Sequence, residues 1–205
     1  MTERVGLLAT LDRLFAGPRR ETLTVHAFLD GLGDRSYAFI IAALDLPNCV
    51  PTGLPLLSTV TGVPMLLLAI QYFLRQPSPW LPDIFGKRAL ERGRLQDSLD
   101  HIRPYIARLE NAVHPRHDWW VSGTPRWLMQ FVWALLILLL ALPVPFDNML
   151  PAWAILFFCL ALIERDGVMA IFGWVFTLLT TAWTIFLAIV GPLVVLHVVK
   201  SVLSL

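Results

Sequence analysis

The chain has 205 residues, of which 57% are hydrophobic and 15% are charged, and its mean hydropathy is +0.67. Soluble domains carry about 25% charged residues, so this composition indicates a protein that lies in lipid. The net charge of +1 and the lack of a lysine-rich tract argue against a nucleic-acid partner. The first thirty residues are mixed and polar, and we expect no cleaved signal peptide.

The first apolar region runs from Tyr37 to Leu74 and follows a balanced, amphipathic stretch, residues 1–36. It is interrupted by LPNCVPTGLP, residues 46–55, in which prolines and a glycine disfavour a continuous helix. The predicted structural breaks here are Pro47, Pro51, Gly53 and Pro55. A bilayer core of about 30 Å needs about 20 helical residues. Leu54–Leu74 meets that length, although Gly62 and Pro64 are expected to kink it, whereas Tyr37–Leu46 is predicted to be a half-helix or re-entrant arm.

A polar centre follows, from Arg75 to Arg126. Apolar residues recur in it every three or four positions, which predicts an amphipathic helix with one apolar face: Leu95, Leu99, Ile102, Ile106, Leu109 and Val113. Two interpretations stay open for this helix. It lies on an anionic inner leaflet, or it packs on the membrane domain or on a second subunit.

The second apolar region runs from Trp127 to Leu142, breaks at PVPFDNMLP, residues 143–151, and resumes in a short arm, Ala152–Ile163. ERDG, residues 164–167, interrupts it again. Val168–Val190 then meets the length of a membrane span, and a further break is predicted at Gly191-Pro192, so that residues 172–205 form C-terminal membrane helices.

The two breaks resemble each other, because Pro47 and Pro55 recur as Pro143 and Pro151 at the same offset of 96 residues. This pattern predicts an internal repeat, residues 21–75 and 126–171, separated by the cytoplasmic or interfacial segment 76–125. The fold class is therefore an all-α integral membrane protein of short, proline-broken transmembrane or re-entrant helices. Whether the copies are parallel or inverted stays open.

Paired interruptions in corresponding halves are typical of a transporter's binding site. The alternative is that short helices need turns at the membrane surface. Basic residues are frequent before Tyr37 and in the polar centre, whereas PVPFDNMLP has none. By the positive-inside rule, the N-terminus and the centre are expected in the cytoplasm of a multi-pass inner-membrane protein.

Polar residues beside apolar segments are candidates for function because they are costly there. The predicted substrate-binding residues are Asp34, Arg35, Thr52, Gln71, Asn148, Glu164, Arg165 and Asp166. Arg35 and Arg165 are expected to pair with an acid of the other copy or to face a shared polar cavity that an anionic substrate can enter. Alternatively, Asp34 and Ser36 cap a helix start and Gly167 closes a helix.

No pattern for catalysis or a cofactor is found. His114, His117 and Asp118 are clustered but lack a fourth ligand and a zinc spacing. The cysteines, Cys49 and Cys159, have no CxxC spacing and indicate packing residues. We therefore expect no enzyme activity, no metal and no cofactor.

Several stretches together resemble the ExoD family of bacterial exopolysaccharide-synthesis proteins over roughly residues 25–190: GDRSYAFIIAALDLP, PTGLPLLSTVTGVPMLLLAIQYFL, PWLPDIFGKR, ALPVPFDNMLPAWAILFFCLAL and ERDG. The resemblance implies an integral inner-membrane protein linked to exopolysaccharide production, but no defined chemical step. Two functions stay open: a small transporter or flippase for an anionic or lipid-linked substrate, and a non-catalytic assembly or regulatory component. Expected partners are membrane lipids, a second copy and other exopolysaccharide-synthesis proteins.

Overall fold

The structure is a computed structural model that describes residues 6–50, 55–82, 86, 88–112, 123–142 and 148–203. It is mostly helical, as the composition predicts. The described elements form two parts, a charged layer and an apolar bundle, which differ in composition and in the interactions that hold them.

The charged layer joins the N-terminal residues to the polar centre. It consists of α1 (Leu7–Phe15), β1 (Thr22–Thr24), α2 (Val25–Leu32), β2 (Ala89–Glu91) and α5 (Arg92–Ala112). The strands pair antiparallel, with Leu23 opposite Leu90. This short ribbon is an addition to the predicted all-helical architecture.

Helices α1 and α5 pack against each other, a contact that neither interpretation of the amphipathic helix included, and both interpretations stay predictions. Leu99 of α5 is buried together with Leu11 of α1. Arg103 donates to both carboxylate oxygens of Asp12, at 2.6 and 3.2 Å, and this contact raises the pKa of the guanidinium. The apolar face of α5 is thus covered at least in part by the protein's own N-terminal helix.

The apolar bundle contains the other helices, which are α3 (Ser36–Asp45), α4 (Pro55–Phe73), α6 (Gly123–Ala141), α7 (Met149–Glu164) and α8 (Gly167–Leu203). Helix α7 is central, because it packs on α3, α6 and α8, while α4 packs on α3 and α6. Its inward residues are fully buried: Ala152, Ala154, Ile155, Phe158, Cys159 and Ala161. Small residues let the neighbours approach closely. A Cβ on Gly62 of α4 would lie 2.8 Å from the Ala141 Cα of α6.

The bundle helices differ in length. Among the described residues, one stretch, Gly167–Pro192, is long and apolar enough to cross a membrane. Leu57–Phe73, Trp127–Ala141 and Met149–Glu164 are apolar but shorter, and α3 has 10 residues, roughly 15 Å. Leu54–Leu74, predicted to meet the length of a span, corresponds to α4, a helix of 19 residues from Pro55 to Phe73.

Proline positions explain where helices begin, and they correct one prediction. Pro55 is the first residue of α4, where a missing N–H costs nothing, and Pro151 lies in the first turn of α7. Pro64 lies inside α4, and Pro192 lies inside α8. The predicted break at Gly191-Pro192 is wrong: α8 continues through it as a single helix, since one lost backbone hydrogen bond does not end a long apolar helix.

Candidate functional site

Two hydrogen bonds between side chains join the described flanks of the two breaks to α4. Asn148, just before α7, donates from Nδ2 to Ser58 Oγ at 2.9 Å. Asn48, in the 3-10 turn Leu46–Cys49 after α3, donates from Nδ2 to Thr61 Oγ1 at 2.9 Å. Ser58 and Thr61 are three residues apart and therefore share one face of α4. The turn that carries Asn48 also packs on α7.

Asp45 adds a charge-bearing group to this region. It is the last residue of α3, its exposed fraction is 0%, and neither carboxylate oxygen has a hydrogen-bond partner among the described residues. Asn48 lies beside it, but the Asn48 amide nitrogen donates to Thr61. We call Asp45, Asn48, Ser58, Thr61 and Asn148 the polar cluster.

Two buried thiols lie near Asp45, and an indole lies beside one of them. Cys49 and Cys159 are both buried and free, and both lie within electrostatic reach of the Asp45 carboxylate. The Trp133 side chain of α6 lies beside Cys159, and its buried Nε1 has no hydrogen-bond partner among the described residues. Unpaired polar atoms therefore occur on two of the elements that surround α7.

Gln71 does not belong to the polar cluster. It lies thirteen residues after Ser58 on the same helix, roughly 20 Å away. Its side chain accepts from Trp80 N at 2.7 Å and donates to Trp80 O at 3.3 Å. Tyr37 OH donates to Ser78 O at 2.8 Å. These bonds hold the segment after α4 against the opposite end of the bundle, so the contacts of Gln71 are structural.

The ERDG residues also lie at that opposite end, where α7 ends at Glu164 and α8 begins at Gly167. Asp166 is buried, with 1% exposed, and its Oδ1 accepts from Val168 N at 2.7 Å, which caps the start of α8. Arg165 is exposed and has left-handed backbone angles, φ 54° and ψ 42°. The expected pairing of Arg165 with an acid of the other copy, or its position at a shared polar cavity, stays a prediction. Glu164 is half-buried at the last position of α7.

The GDR residues form a 3-10 turn, Gly33–Arg35, between α2 and α3. Gly33 has a φ of 57°, a conformation that favours glycine, and Ser36 Oγ donates to Gly33 O at 2.7 Å. Arg35 is half-buried. The Asp34 side chain lies outside the described residues, and the pairing of Arg35 with an acid of the other half stays a prediction.

The remaining predicted residues are only partly described. Thr52, Pro51, Gly53 and Pro143 lie outside the described residues, as do His114, His117 and Asp118. Within the described ranges, His, Cys, Asp and Glu form no group of three or more that could hold a metal ion.

Sequence reasoning missed most of the polar cluster. It singled out Asn148 but not Asp45, Ser58 or Thr61, and it treated Asn48 only as part of a turn. One signal was available: Asp45 is the only charged residue in the apolar region from Tyr37 to Leu74. Asp45 was not selected because it directly precedes the first break, and carboxylates are common in turns.

These observations define a mostly helical protein with a candidate membrane-crossing helix and a buried or partly buried polar cluster in an apolar bundle. A sequence profile of the family described as "Exopolysaccharide synthesis, ExoD" matches residues 7–186. Protein ExoD of Rhizobium meliloti (strain 1021) is 30% identical over 185 residues, covering 87% of this chain and 75% of that protein. The chain belongs to the ExoD family, which is linked to exopolysaccharide synthesis.

A second relative, an uncharacterised protein of Synechocystis sp. (strain ATCC 27184 / PCC 6803 / Kazusa), is 27% identical over 169 residues, covering 82% of this chain and 80% of that protein. No solved structure matches the chain.

Proposed function

We propose that this protein is a multi-pass inner-membrane component of exopolysaccharide synthesis that moves an anionic or lipid-linked substrate past its two helix breaks. The observation that carries the proposal is the polar cluster, which is enclosed by apolar helices and lies between the described flanks of both breaks. Polar groups in such a place are costly and therefore mark functional sites. We also propose that the protein has no enzymatic activity of its own.

The outer faces of the bundle support a lipid environment. Large apolar side chains are exposed along three helices: Val60, Val63, Leu67 and Ile70 on α4, Leu128, Phe131, Leu135 and Leu138 on α6, and Ile171, Val175, Leu178 and Ile185 on α8. Apolar patches of this extent are rare on soluble monomers. Acyl chains would cover these faces, and helices shorter than the bilayer core would thin it locally.

The two ends of the bundle suggest different tasks. Arg35 and Arg165 lie at the end away from the polar cluster, beside the segments expected in the cytoplasm. A guanidinium binds phosphate through two parallel hydrogen bonds, so these residues would receive an anionic head group there. The polar cluster would then meet the substrate's polar part on its way through the bundle.

The second candidate function is a non-catalytic component that assembles or regulates the exopolysaccharide machinery. One observation favours it: Asn48 and Asn148 already donate to hydroxyls within the protein, as structural side chains do. The charged layer would then supply the surface for a second copy or for another exopolysaccharide-synthesis protein.

The test is complementation of a strain that lacks the protein. Ser58→Ala and Asn148→Ala each remove one partner of the same hydrogen bond in the polar cluster. Gly191→Ala is the control, because an added Cβ there has open space around it. We expect the first two variants to lower polymer output several-fold at unchanged membrane abundance. Normal output from both would contradict the transport function and favour the assembly function.

A second arm measures movement directly. Purified protein in vesicles that contain a fluorescent polyprenyl phosphate should speed the exposure of that lipid to an external quencher. Asn148→Ala should slow this movement relative to Gly191→Ala. Equal rates in protein-containing and protein-free vesicles would contradict the proposal for this lipid class.

A further inference from the structure

The buried carboxyl group of Asp45 has a chemistry that the proposed function does not use. It is the only charge-bearing residue of α3, and it lies where that helix ends inside the apolar bundle. An ionised carboxylate in apolar surroundings without hydrogen bonds costs many kcal/mol unless it is paired or neutralised. The surroundings of Asp45 therefore decide its chemical state.

Helices α4 and α7, which pack against α3, supply no basic side chain to Asp45. Helix α2 carries His26 and Asp30 but meets α3 at Phe39, and Arg35 lies at the other end of α3, roughly 15 Å from Asp45 along the helix. Helix α4 carries no charged residue from Pro55 to Phe73, and the only charged residue of α7 is Glu164, at its last position. Within the described residues, the thiols of Cys49, in the following turn, and Cys159, on α7, lie within electrostatic reach of Asp45. Thiols are mostly uncharged at neutral pH, so neither supplies a counter-charge.

The backbone does not supply a positive potential either. Asp45 occupies the last position of α3, and the C-terminal end of a helix carries a partial negative charge that disfavours a nearby anion. The turn that follows directs its one paired amide side chain, Asn48, to Thr61. The helix end therefore favours the uncharged carboxyl group, whereas the Asn48 amide beside Asp45 favours the carboxylate but is neutral and supplies no counter-charge.

A metal cation fits this position less well than a proton does. Calcium and magnesium take about six or more oxygen ligands, whereas two of the groups beside Asp45 are thiols. A proton requires only the carboxyl oxygen itself. The neutral form also explains how a carboxyl group without partners is tolerated inside the bundle.

We propose that Asp45 is a proton-binding site of this protein, protonated in the state described here. Binding and release are the equilibrium between the carboxylic acid and a carboxylate plus a free proton, and release requires water to enter the cluster when the helices beside the breaks separate. The further step, in which proton release accompanies substrate movement, rests on the proposed function; proton binding at Asp45 does not.

The experiment is carbodiimide labelling of the purified full-length protein in detergent, because a carbodiimide reacts with a protonated carboxyl group in apolar surroundings. Dicyclohexylcarbodiimide is added at a series of pH values, and peptide mass spectrometry locates the adduct. We expect an adduct on Asp45 that decreases several-fold as the pH rises, and its loss in Asp45→Asn. Glu164→Gln is the matched control and should keep the Asp45 adduct.

A second readout does not depend on reagent access. The infrared difference spectrum between wild type and Asp45→Asn should contain the carbonyl band of a protonated, non-aqueous carboxylic acid at neutral pH. A carboxylate band in its place, or protection of Asp45 from the reagent by sodium chloride at fixed pH, would overturn the proposal. A labelled Asp45 in a protein that moves no lipid would retain the proton site and reject the transport function, so the two failures are distinguishable.

Discussion

Asn148 and Ser58 are 90 residues apart in the chain, and a 2.9 Å hydrogen bond joins their side chains inside the bundle. The bond ties the flank of the second break to the first turns of α4, which follow the first break. Described residues beside each of the two breaks therefore meet within one packed unit. This arrangement is what a shared site requires, whether or not the two halves are true repeats.

The coupling between these two residues is measurable. We expect Ser58→Ala and Asn148→Ala each to lower the free energy of unfolding by about 1 kcal/mol, and the double variant to cost clearly less than the sum. Each single change removes one of the two groups that form this bond, whereas the double change removes both. Thermal unfolding in detergent, followed by circular dichroism, provides the measurement.

The matched control is a second double variant, which combines Ser58 with a residue of the other hydrogen bond. Ser58→Ala combined with Asn48→Ala changes two residues that are not bonded to each other, so their effects should be closer to additive. Strict additivity of Ser58→Ala with Asn148→Ala would contradict the bond.

The close contact of α4 with α6 predicts sensitivity at Gly62. A Cβ there would lie 2.8 Å from the Ala141 Cα and 2.9 Å from its Cβ, and the backbone of Ala141 cannot move aside without displacing the helix. Gly62→Ala should destabilise the bundle by about 1–3 kcal/mol. Gly191→Ala, where nothing lies within 4 Å of the added carbon, should be neutral or slightly stabilising. Equal melting temperatures for the two variants would contradict the packing.

Local patterns predicted the helical fold and the place of most helix starts. The period of the apolar residues in α5 and the prolines in the first turns of α4 and α7 are local signals, so they can be read from the sequence. The pairing of α5 with α1 could not be predicted in this way, because it depends on contacts such as Arg103 with Asp12, 91 residues apart. The break predicted at Pro192 was wrong because a proline, which is a local helix breaker, is tolerated inside α8.

The site was predicted only in part, because its contacts also join residues that are far apart in the sequence. Charge next to an apolar segment identified Asp166 and Arg165, whose described contacts are those of a helix junction. Asn148 was selected because it follows the pattern of the breaks, but its partner Ser58 carries an ordinary hydroxyl within an apolar helix. Only the three-dimensional packing shows that Asp45 has no partner among the described residues, since the sequence places donors such as Asn48 beside it.

The first turn of α5 holds the C-terminal end of α1, which predicts a stability effect far from the bundle. Arg92 Nη1 donates to Leu14 O at 2.8 Å, and Gln96 Nε2 donates to Phe15 O at 2.8 Å. These carbonyls lie at the end of α1, where helical partners are lacking. Gln96→Ala should therefore lower the local stability of α1 by about 0.5–1.5 kcal/mol.

Hydrogen exchange resolved by peptide measures this effect, because protection of residues 7–15 should fall while protection of α7 is unchanged. Arg94→Ala is the control, since Arg94 is exposed and pairs with its near neighbour Glu91. An equal loss of protection in both variants would contradict the specific role of Gln96.

Arg165 offers a direct test of structural against functional explanations. Its left-handed conformation is costly for a side chain but not for glycine, so Arg165→Gly should stabilise the helix end by about 1 kcal/mol. Arg165→Lys retains the charge but not the forked donor geometry. If Arg165 binds an anionic head group, both variants lose polymer output at normal abundance, and the more stable glycine variant loses more. Full output from Arg165→Gly would remove Arg165 from the substrate path.

The packing of α1 on α5 makes the orientation testable with two labels instead of one. Because these helices contact each other, Arg13 of α1 and Asp100 of α5, both exposed, must lie on the same side of any membrane. The distribution of basic residues predicts that this side is the cytoplasm.

Single cysteines are introduced at the two positions in a background in which Cys49 and Cys159 are replaced, and a membrane-impermeant maleimide is added to intact cells. We expect neither site to react until the inner membrane is opened, and both to react afterwards. Reaction of both sites in intact cells would reverse the orientation, whereas reaction of only one would contradict the charged layer itself.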